Sequence, residues 1–381
     1  MTESGTVFGA TNGHVVTPAG VLAETTMTVV DGVIAALAQR AGAGALDLDG
    51  GWLMPGFIDT QVNGGGGILF NDAIDIDGIA AIGAAHRRFG TTGFLPTLIS
   101  DDLDRVAAAL DAADAAIAAD VPGALGVHIE GPFLNVVRKG IHDPAKLRRL
   151  DAAALDLLTR PRLGTVMLTL APECCTPADI AALGAAGVIV SAGHSDADYA
   201  TVRAALDAGL RGFTHLFNAM SPLQHRAPGM VGAALDDVDS WCGLIVDGIH
   251  VDPIALRIAL RAKAPAKFML VTDAMPNIGT DGDAFILQGK RISVVDGKLI
   301  DDAGTLAGAD LDMAAAVRNA VRMIGVAPAA ASAMASTAPA AFLRLAHQRG
   351  ALAPGLRADW VWLDADFRPR GTWIGGQRID G

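Results

Sequence analysis

Val188-Ile189-Val190-Ser191-Ala192-Gly193-His194-Ser195, followed one helical segment later by Gly212-Phe213-Thr214-His215, reads as two short buried strands that each end in a histidine. A β-branched run bounded by glycine fits a strand covered on both faces, as in a parallel sheet. The same unit recurs along the chain. β runs begin at Gly56-Phe57-Ile58 and Gly93-Phe94-Leu95, and others fall at residues 125–129, 166–170, 188–190, 212–215, 243–246 and 267–271, eight in all. Helix punctuation lies between them. Thr176-Pro177 offers an N-cap followed by proline at the first helical position, with Gly187 as a stop. Asp252-Pro253 opens another helix in the same way, and Asp151 and Ser100 stand at cap positions. Eight strand–helix units predict an α/β fold with a closed (β/α)8 barrel of TIM type; an open doubly wound sheet is the alternative.

The two ends differ from the middle. Residues 27–30 and 33–37 flank Asp31-Gly32, a dipeptide suited to a two-residue hairpin because both turn positions want positive φ. Residues 360–363 and 372–374, the latter followed by Gly375-Gly376, also read as β. Residues 1–53 and 346–381 are therefore expected to join in one small β-sandwich domain, with residues 54–345 as the barrel. A polar, Gly-rich insertion at residues 277–304 follows the eighth strand and carries its own Asp296-Gly297 hairpin turn. Of the 381 residues, 51% are hydrophobic and only 18% charged, which supports a large core. The formal charge of −12 argues against nucleic acid as a partner. No stretch reaches the roughly 20 apolar residues of a membrane span, and the start, MTESGTVFGA, lacks a basic region followed by an apolar run. Cys174, Cys175 and Cys242 lack zinc-site spacing and fit free thiols of a reducing cytoplasm.

Polar residues fall where a parallel barrel does its chemistry, at the C-terminal ends of the strands. His128 and Glu130 end the third strand, His194 the fifth and His215 the sixth. Asp247 and His250 follow the seventh, and Asp273 ends the eighth. A single histidine at a strand end is more often structural. One carboxylate and two imidazoles from neighbouring strands, however, match the ligand set of a catalytic zinc site that keeps one position for water. Glu130, His194 and His215 are the expected ligands, and Asp273 the expected base and acid. Gln61 and Asn63 end the first strand. Amides bind first-row metals weakly compared with imidazole, so one metal per chain is expected.

Longer segments carry a resemblance. They are Pro55-Gly56-Phe57-Ile58-Asp59 with Gln61-Val62-Asn63-Gly64, His128-Ile129-Glu130-Gly131-Pro132-Phe133, Lys139-Gly140-Ile141-His142 and Ser191-Ala192-Gly193-His194-Ser195. Thr214-His215-Leu216-Phe217-Asn218-Ala219-Met220, Asp247-Gly248-Ile249-His250, Val271-Thr272-Asp273-Ala274 and Thr305-Leu306-Ala307-Gly308 complete the series. In this order, over nearly the whole chain, they resemble the N-acetylglucosamine-6-phosphate deacetylase family of the amidohydrolase superfamily. The resemblance implies removal of acetate from a 6-phosphorylated amino sugar, with a metal-activated water attacking the amide carbonyl. It matches Glu130, His194 and His215 to the metal ligands and Asp273 to the general base and acid. Ile141, His142, Asn218, Ala219, His250, Leu306, Ala307 and Gly308 match substrate contacts, and His250 is a candidate to polarise the carbonyl. Arg226 matches a phosphate contact reached from the neighbouring subunit, which implies a homodimer. Zinc is the first choice of metal, with iron(II), cobalt and manganese as alternatives. Many amidohydrolases carry a His-x-His pair where this chain has Gln61 and Asn63, so these two are candidate remnants of a second metal site. The alternatives are a deacetylase of another phosphorylated amino sugar such as N-acetylgalactosamine-6-phosphate, a cyclic-amide hydrolase of the same superfamily, and a non-catalytic barrel.

Overall fold

The computed structural model describes residues 5–379; residues 1–4 and 380–381, the outer ends of the expected terminal domain, lie outside it. All eight expected strands are present: β1 (Phe57–Val62), β2 (Thr91–Ile99), β3 (Gly126–Glu130), β4 (Thr165–Leu170), β5 (Ile189–Ala192), β6 (Gly212–Phe213), β7 (Trp241–Leu244) and β8 (Phe268–Leu270). They pair in parallel in sequence order. The sheet closes where Val62 bridges Ala274 and the Asp273 N–H donates to the Gln61 carbonyl at 3.0 Å. That closure excludes the open doubly wound sheet.

Eight helices alternate with the strands: α1 (Ile76–Arg87), α2 (Leu103–Ala118), α3 (Ala152–Leu158), α4 (Pro177–Ala185), α5 (Tyr199–Asp207), α6 (Gly229–Asp236), α7 (Pro253–Ala262) and α8 (Met313–Ile324). Their ends follow the expected chemistry. Thr176 and Asp179 form a capping box on α4, and Asp151 and Asp252 cap α3 and α7. Gly187, just beyond α4, is left-handed. Ser100 is not a cap. Asp102 occupies the residue before α2, and the buried Ser100 hydroxyl lies 2.8 Å from His142 Nδ1 instead. The inward stripe of α8 is Met313, Ala316, Val317, Ala320 and Ile324, spaced as one helical face. Burying Val317 or Ile324 there contributes about 1.5–3 kcal/mol each.

The barrel interior holds a polar chain. His128 Nδ1 meets Thr97 Oγ1 at 3.2 Å, and Nε2 meets Thr169 Oγ1 at 2.7 Å. Thr169 contacts Thr214 at 2.6 Å, and Thr214 contacts Ser191 at 2.8 Å. All five residues are buried. His128 thus has the structural role common to a histidine at a strand end.

The terminal segments build two sheets outside the barrel. Strands at residues 33–38, 25–30, 6–11 and 46–47 form one, and residues 377–378, 369–374, 360–363, 52–55, 14–17 and 20–22 form the other. Met27, Ile34, Leu53, Trp360 and Trp373 pack together in one apolar cluster. Asp31 and Gly32 both have positive φ, as the hairpin between Val30 and Val33 requires. The expected division at residues 53 and 54 falls inside the strand Trp52–Pro55. The insertion after β8 folds as a small antiparallel sheet, residues 284–287, 290–295, 298–300 and 306–309, with the expected turn between Val295 and Lys298.

His86 on α1 is buried beside the first-strand loop, its Nε2 2.9 Å from the Gly64 carbonyl, so that nitrogen carries the proton. A Cβ at Gly65 would lie 2.9 Å from the ring, so the loop packs this closely only with glycine there. Burial pushes the His86 pKa down to about 4. The unfolded chain takes up this proton near pH 6.5, the folded chain only near 4, so stability falls as pH drops through that window. The loss for this one group is on the order of 3 kcal/mol. In urea titrations from about pH 7 to about pH 4.5, a His86→Gln variant is expected to lose less stability than wild type. An equal loss in both would disprove this.

Candidate active site

Glu130 is the last residue of β3, and its carboxylate is buried in the barrel mouth. His194 and His215 lie just past β5 and β6, each with left-handed backbone, φ 49° and 36°. Such a conformation costs a non-glycine residue roughly 1–3 kcal/mol and persists where the surroundings enforce it. Here the turn out of each strand brings an imidazole to Glu130. His215 Nε2 lies 3.0 Å and His194 Nε2 3.4 Å from Glu130 Oε1, and the two nitrogens are 3.1 Å apart. One ligand atom from each of the three therefore falls within a space 4.8 Å across.

The proton placement tests whether a metal fits. His194 Nδ1 is 2.9 Å from the Arg138 carbonyl, which can only accept, so Nδ1 carries the proton and Nε2 presents a lone pair. A lone pair facing a second imidazole nitrogen and a carboxylate oxygen is the arrangement a divalent cation completes. Burial pushes the Glu130 carboxyl up, but the two imidazoles outweigh it and hold it well below the usual carboxylate range. Burial likewise lowers His215, and the Glu130 carboxylate more than reverses this.

Asp273 enters from the barrel seam with φ 53°. Asn63 Nδ2 donates to its Oδ1 at 2.7 Å, and Gln61 Nε2 donates to the same oxygen at 3.1 Å and to Glu130 Oε1 at 3.0 Å. The two amides thus turn N–H groups toward carboxylates. Burial raises the Asp273 pKa to about 6, with the Glu130 charge adding and His215 opposing. Below it, buried Asp59 accepts the Gln61 N–H at 3.2 Å and both the N–H and hydroxyl of Thr272. Burial raises Asp59 to about 7.

Two further histidines have opposite polarity. His142 Nδ1 accepts the Ser100 N–H at 3.3 Å, so the neutral ring carries its proton on Nε2. Burial, aided by His194, pushes its pKa down to about 3 and keeps the ring neutral. His250 Nδ1 donates to Asp247 Oδ2 at 2.6 Å, so its neutral ring presents Nε2 as an acceptor. Asp247 is itself fixed by the N–H groups of Ile249 and His250 at 2.8 and 2.9 Å.

A cavity of about 490 Å³ opens over these groups. Ile141, His142, Asn218, Ala219, His250, Leu306 and Gly308 line it, and Ala307 is buried between the last two. Arg226 is exposed and lines a separate hollow with Tyr199 and Gln224. The sequence reading missed Arg138, Met275 and Leu287, which also line the cavity. Met275 and Leu287 are apolar, and Arg138 lies in the loop after β3, so none of them stands at the C-terminal end of a barrel strand.

The closed barrel and its carboxylate–imidazole cluster define a hydrolase built around a candidate metal centre. A profile of the amidohydrolase family matches residues 52–379, and the chain belongs to that family. It is 47% identical over 332 residues to an N-acetylgalactosamine-6-phosphate deacetylase of Shewanella sp. (strain ANA-3), covering 87% of this chain and 84% of that one. It is 39% identical over 349 residues to the N-acetylglucosamine-6-phosphate deacetylase of Bos taurus, covering 87% and 84%. The crystal structure of N-acetylglucosamine-6-phosphate deacetylase from Pasteurella multocida superposes with a TM-score of 0.94 at 34% identity, over 99% of this chain and 100% of that one.

Stripping divalent ions with a chelator is expected to lower the thermal midpoint, and adding zinc back to restore it. At free ion about 100 times the dissociation constant the gain is ~2.7 kcal/mol. His215→Ala is expected to show no such zinc effect; the same shift in wild type and variant would remove His215 from the ligand set.

Proposed function

We propose that this enzyme hydrolyses N-acetylglucosamine-6-phosphate to glucosamine-6-phosphate and acetate. The observation that carries the reading is the convergence of Glu130, His194 and His215 on one point, with Asp273 held beside them by Gln61 and Asn63. The relatives' activity on phosphorylated amino sugars supplies the substrate class. A divalent ion held by the Glu130 carboxylate and the two Nε2 atoms would polarise the acyl oxygen and make a water more acidic. Zinc suits these nitrogen and oxygen donors best, with iron(II), cobalt or manganese as substitutes.

The protein's own groups do the rest. Asp273 takes the proton of the attacking water and returns it to the sugar nitrogen as the C–N bond breaks. Its raised pKa, about 6, suits a group that must both accept and donate near neutrality. Gln61 and Asn63 hold it in place, one ion suffices, and no remnant site is needed to explain the two amides. The tautomers favour His142 over His250 as the donor to the acyl oxygen, because its neutral ring carries the proton on Nε2. His250 polarises that oxygen only as the imidazolium; as a neutral ring it accepts a sugar hydroxyl. Ile141, Asn218, Ala219 and the 306–308 segment close around the sugar.

Phosphate recognition is proposed to need a second chain. Arg138 lines the cavity, but its guanidinium is held by Asp196 at 2.8 Å. Arg226 stands exposed on its loop, with exposed Leu223 beside it and exposed Val137 at the cavity, as a dimer contact would require. In the cytoplasmic homodimer we propose, each Arg226 meets the phosphate bound by its neighbour. Among the described residues, no helix is long and apolar enough to cross a membrane. A second reading has its own support: the 47% identical Shewanella relative is named for the galactosamine epimer.

Acetate release from both phosphorylated epimers and from unphosphorylated N-acetylglucosamine tests the reading. Turnover confined to a phosphorylated sugar supports it, the faster epimer names the substrate, and release from neither phosphorylated sugar refutes it. Asp273→Asn is expected to cut kcat by at least about 10²-fold with metal content unchanged. Co-expressed Arg226→Ala and Asp273→Asn chains are expected to recover about a quarter of wild-type activity, because half the dimers are mixed and each has one complete site. No recovery would mean that Arg226 does not act across the dimer.

A further inference from the structure

Glu173 lies in the single turn Pro172–Cys174 after β4, away from the cavity lining, yet its carboxylate joins the two segments on which His194 depends. Oε1 accepts from Asn135 Nδ2 and from the Asp196 N–H, both at 2.8 Å. Oε2 accepts from Ser195 Oγ at 2.6 Å. Asn135 belongs to the loop after β3, and Ser195 and Asp196 directly follow His194.

The same segments grip His194 itself. The Asn135 N–H donates to the His194 carbonyl at 2.9 Å, and the Arg138 carbonyl takes its Nδ1–H at 2.9 Å. Arg138 closes the ring by pairing with Asp196 at 2.8 Å. Ser195 extends it to the loop after β6, donating its N–H to the Ala219 carbonyl at 3.1 Å. One carboxylate therefore fastens the two residues just after His194, whose own φ is 49°, to the loop after β3. Without that fastening the left-handed backbone has less to oppose its relaxation, and the first quantity to change is the aim of Nε2.

We infer that Glu173 is a positioning residue for His194, holding the turn that points His194 Nε2 at Glu130 and so setting the affinity of the metal centre. The inference rests on reading Glu130, His194 and His215 as the metal ligands. A purely structural tie would lower folding stability and leave metal affinity alone, which separates the two roles.

The test is zinc affinity, read by competition with a chromophoric chelator, with urea midpoints of the metal-free proteins alongside. Glu173→Gln keeps one acceptor but sets an NH2 group against the Ser195 hydroxyl. It is expected to weaken zinc binding by about ten- to a hundredfold, the range for partners of metal ligands, with the metal-free urea midpoint close to wild type. Ser195→Ala removes one of the three bonds and is expected to weaken binding by a smaller factor. Zinc affinity within about twofold of wild type in both variants overturns the inference, whatever their stability. Should Glu173→Gln fail to fold, Ser195→Ala decides: weakened zinc binding supports the role and unchanged binding overturns it. Glu130→Ala tests the underlying ligand set. If it binds zinc as wild type does, the ligand reading fails and the inference with it; if it binds none while Glu173→Gln binds normally, only the inference fails.

Discussion

The hydrogen bond from the Asp273 N–H to the Gln61 carbonyl joins the last barrel strand to the first, and the site exists because of that seam. Closure puts Asp273 across from Glu130, which no contact local in sequence could do. The same residues that seal the barrel also orient Asp273: Gln61 and Asn63 donate to it, and Asp59 anchors Thr272 from below. A buried carboxylate such as Asp59 is costly unless hydrogen-bonded. Its donors come from both sides of the seam, so burial and closure reinforce each other.

Above this seam the structure accepts local strain for aim. His194, His215 and Asp273 all have left-handed backbone, although none is glycine. A straight continuation of a strand would carry its side chains on alternately to the two faces of the sheet. Leaving the strand through a left-handed residue instead brings three polar groups from different strands together. The polar chain below, from Thr97 through His128 to Ser191, is fully hydrogen-bonded and gives this mouth a fixed floor.

Much of this was legible in the sequence. The strand runs at residues 166–170 and 243–246 lie within two residues of the observed strands, because β-branched and apolar runs bounded by glycine leave few choices. Glu130, His194 and His215 were legible because strand ends of a barrel converge. Other features were hidden for physical reasons. Ser100 looked like a cap because cap chemistry and second-partner chemistry use the same hydroxyl. His142 and His250 look alike in sequence, yet a backbone N–H in one case and a carboxylate in the other gives them opposite neutral tautomers. Glu173 carries no motif of its own; only the approach of two loops reveals its three bonds.

The strand Trp52–Pro55 pairs with Trp360–Leu363, so Met54 lies opposite Val361 across nearly the whole length of the chain. During synthesis the early segment must wait for its partner. At ~5–20 residues per second, the roughly 300 residues between them take on the order of 15–60 s to appear. Over that interval Leu53 and Met54, buried in the finished molecule, have no Trp360 or Val361 to pack against. Strands and helices of the barrel can form as they emerge, but the sheet edge beside residue 54 stays open until residues 360–363 have left the ribosome. A ribosome that stalls late therefore leaves a nascent chain with nearly all of its barrel and an adhesive edge, the state in which a holding chaperone has the most to protect.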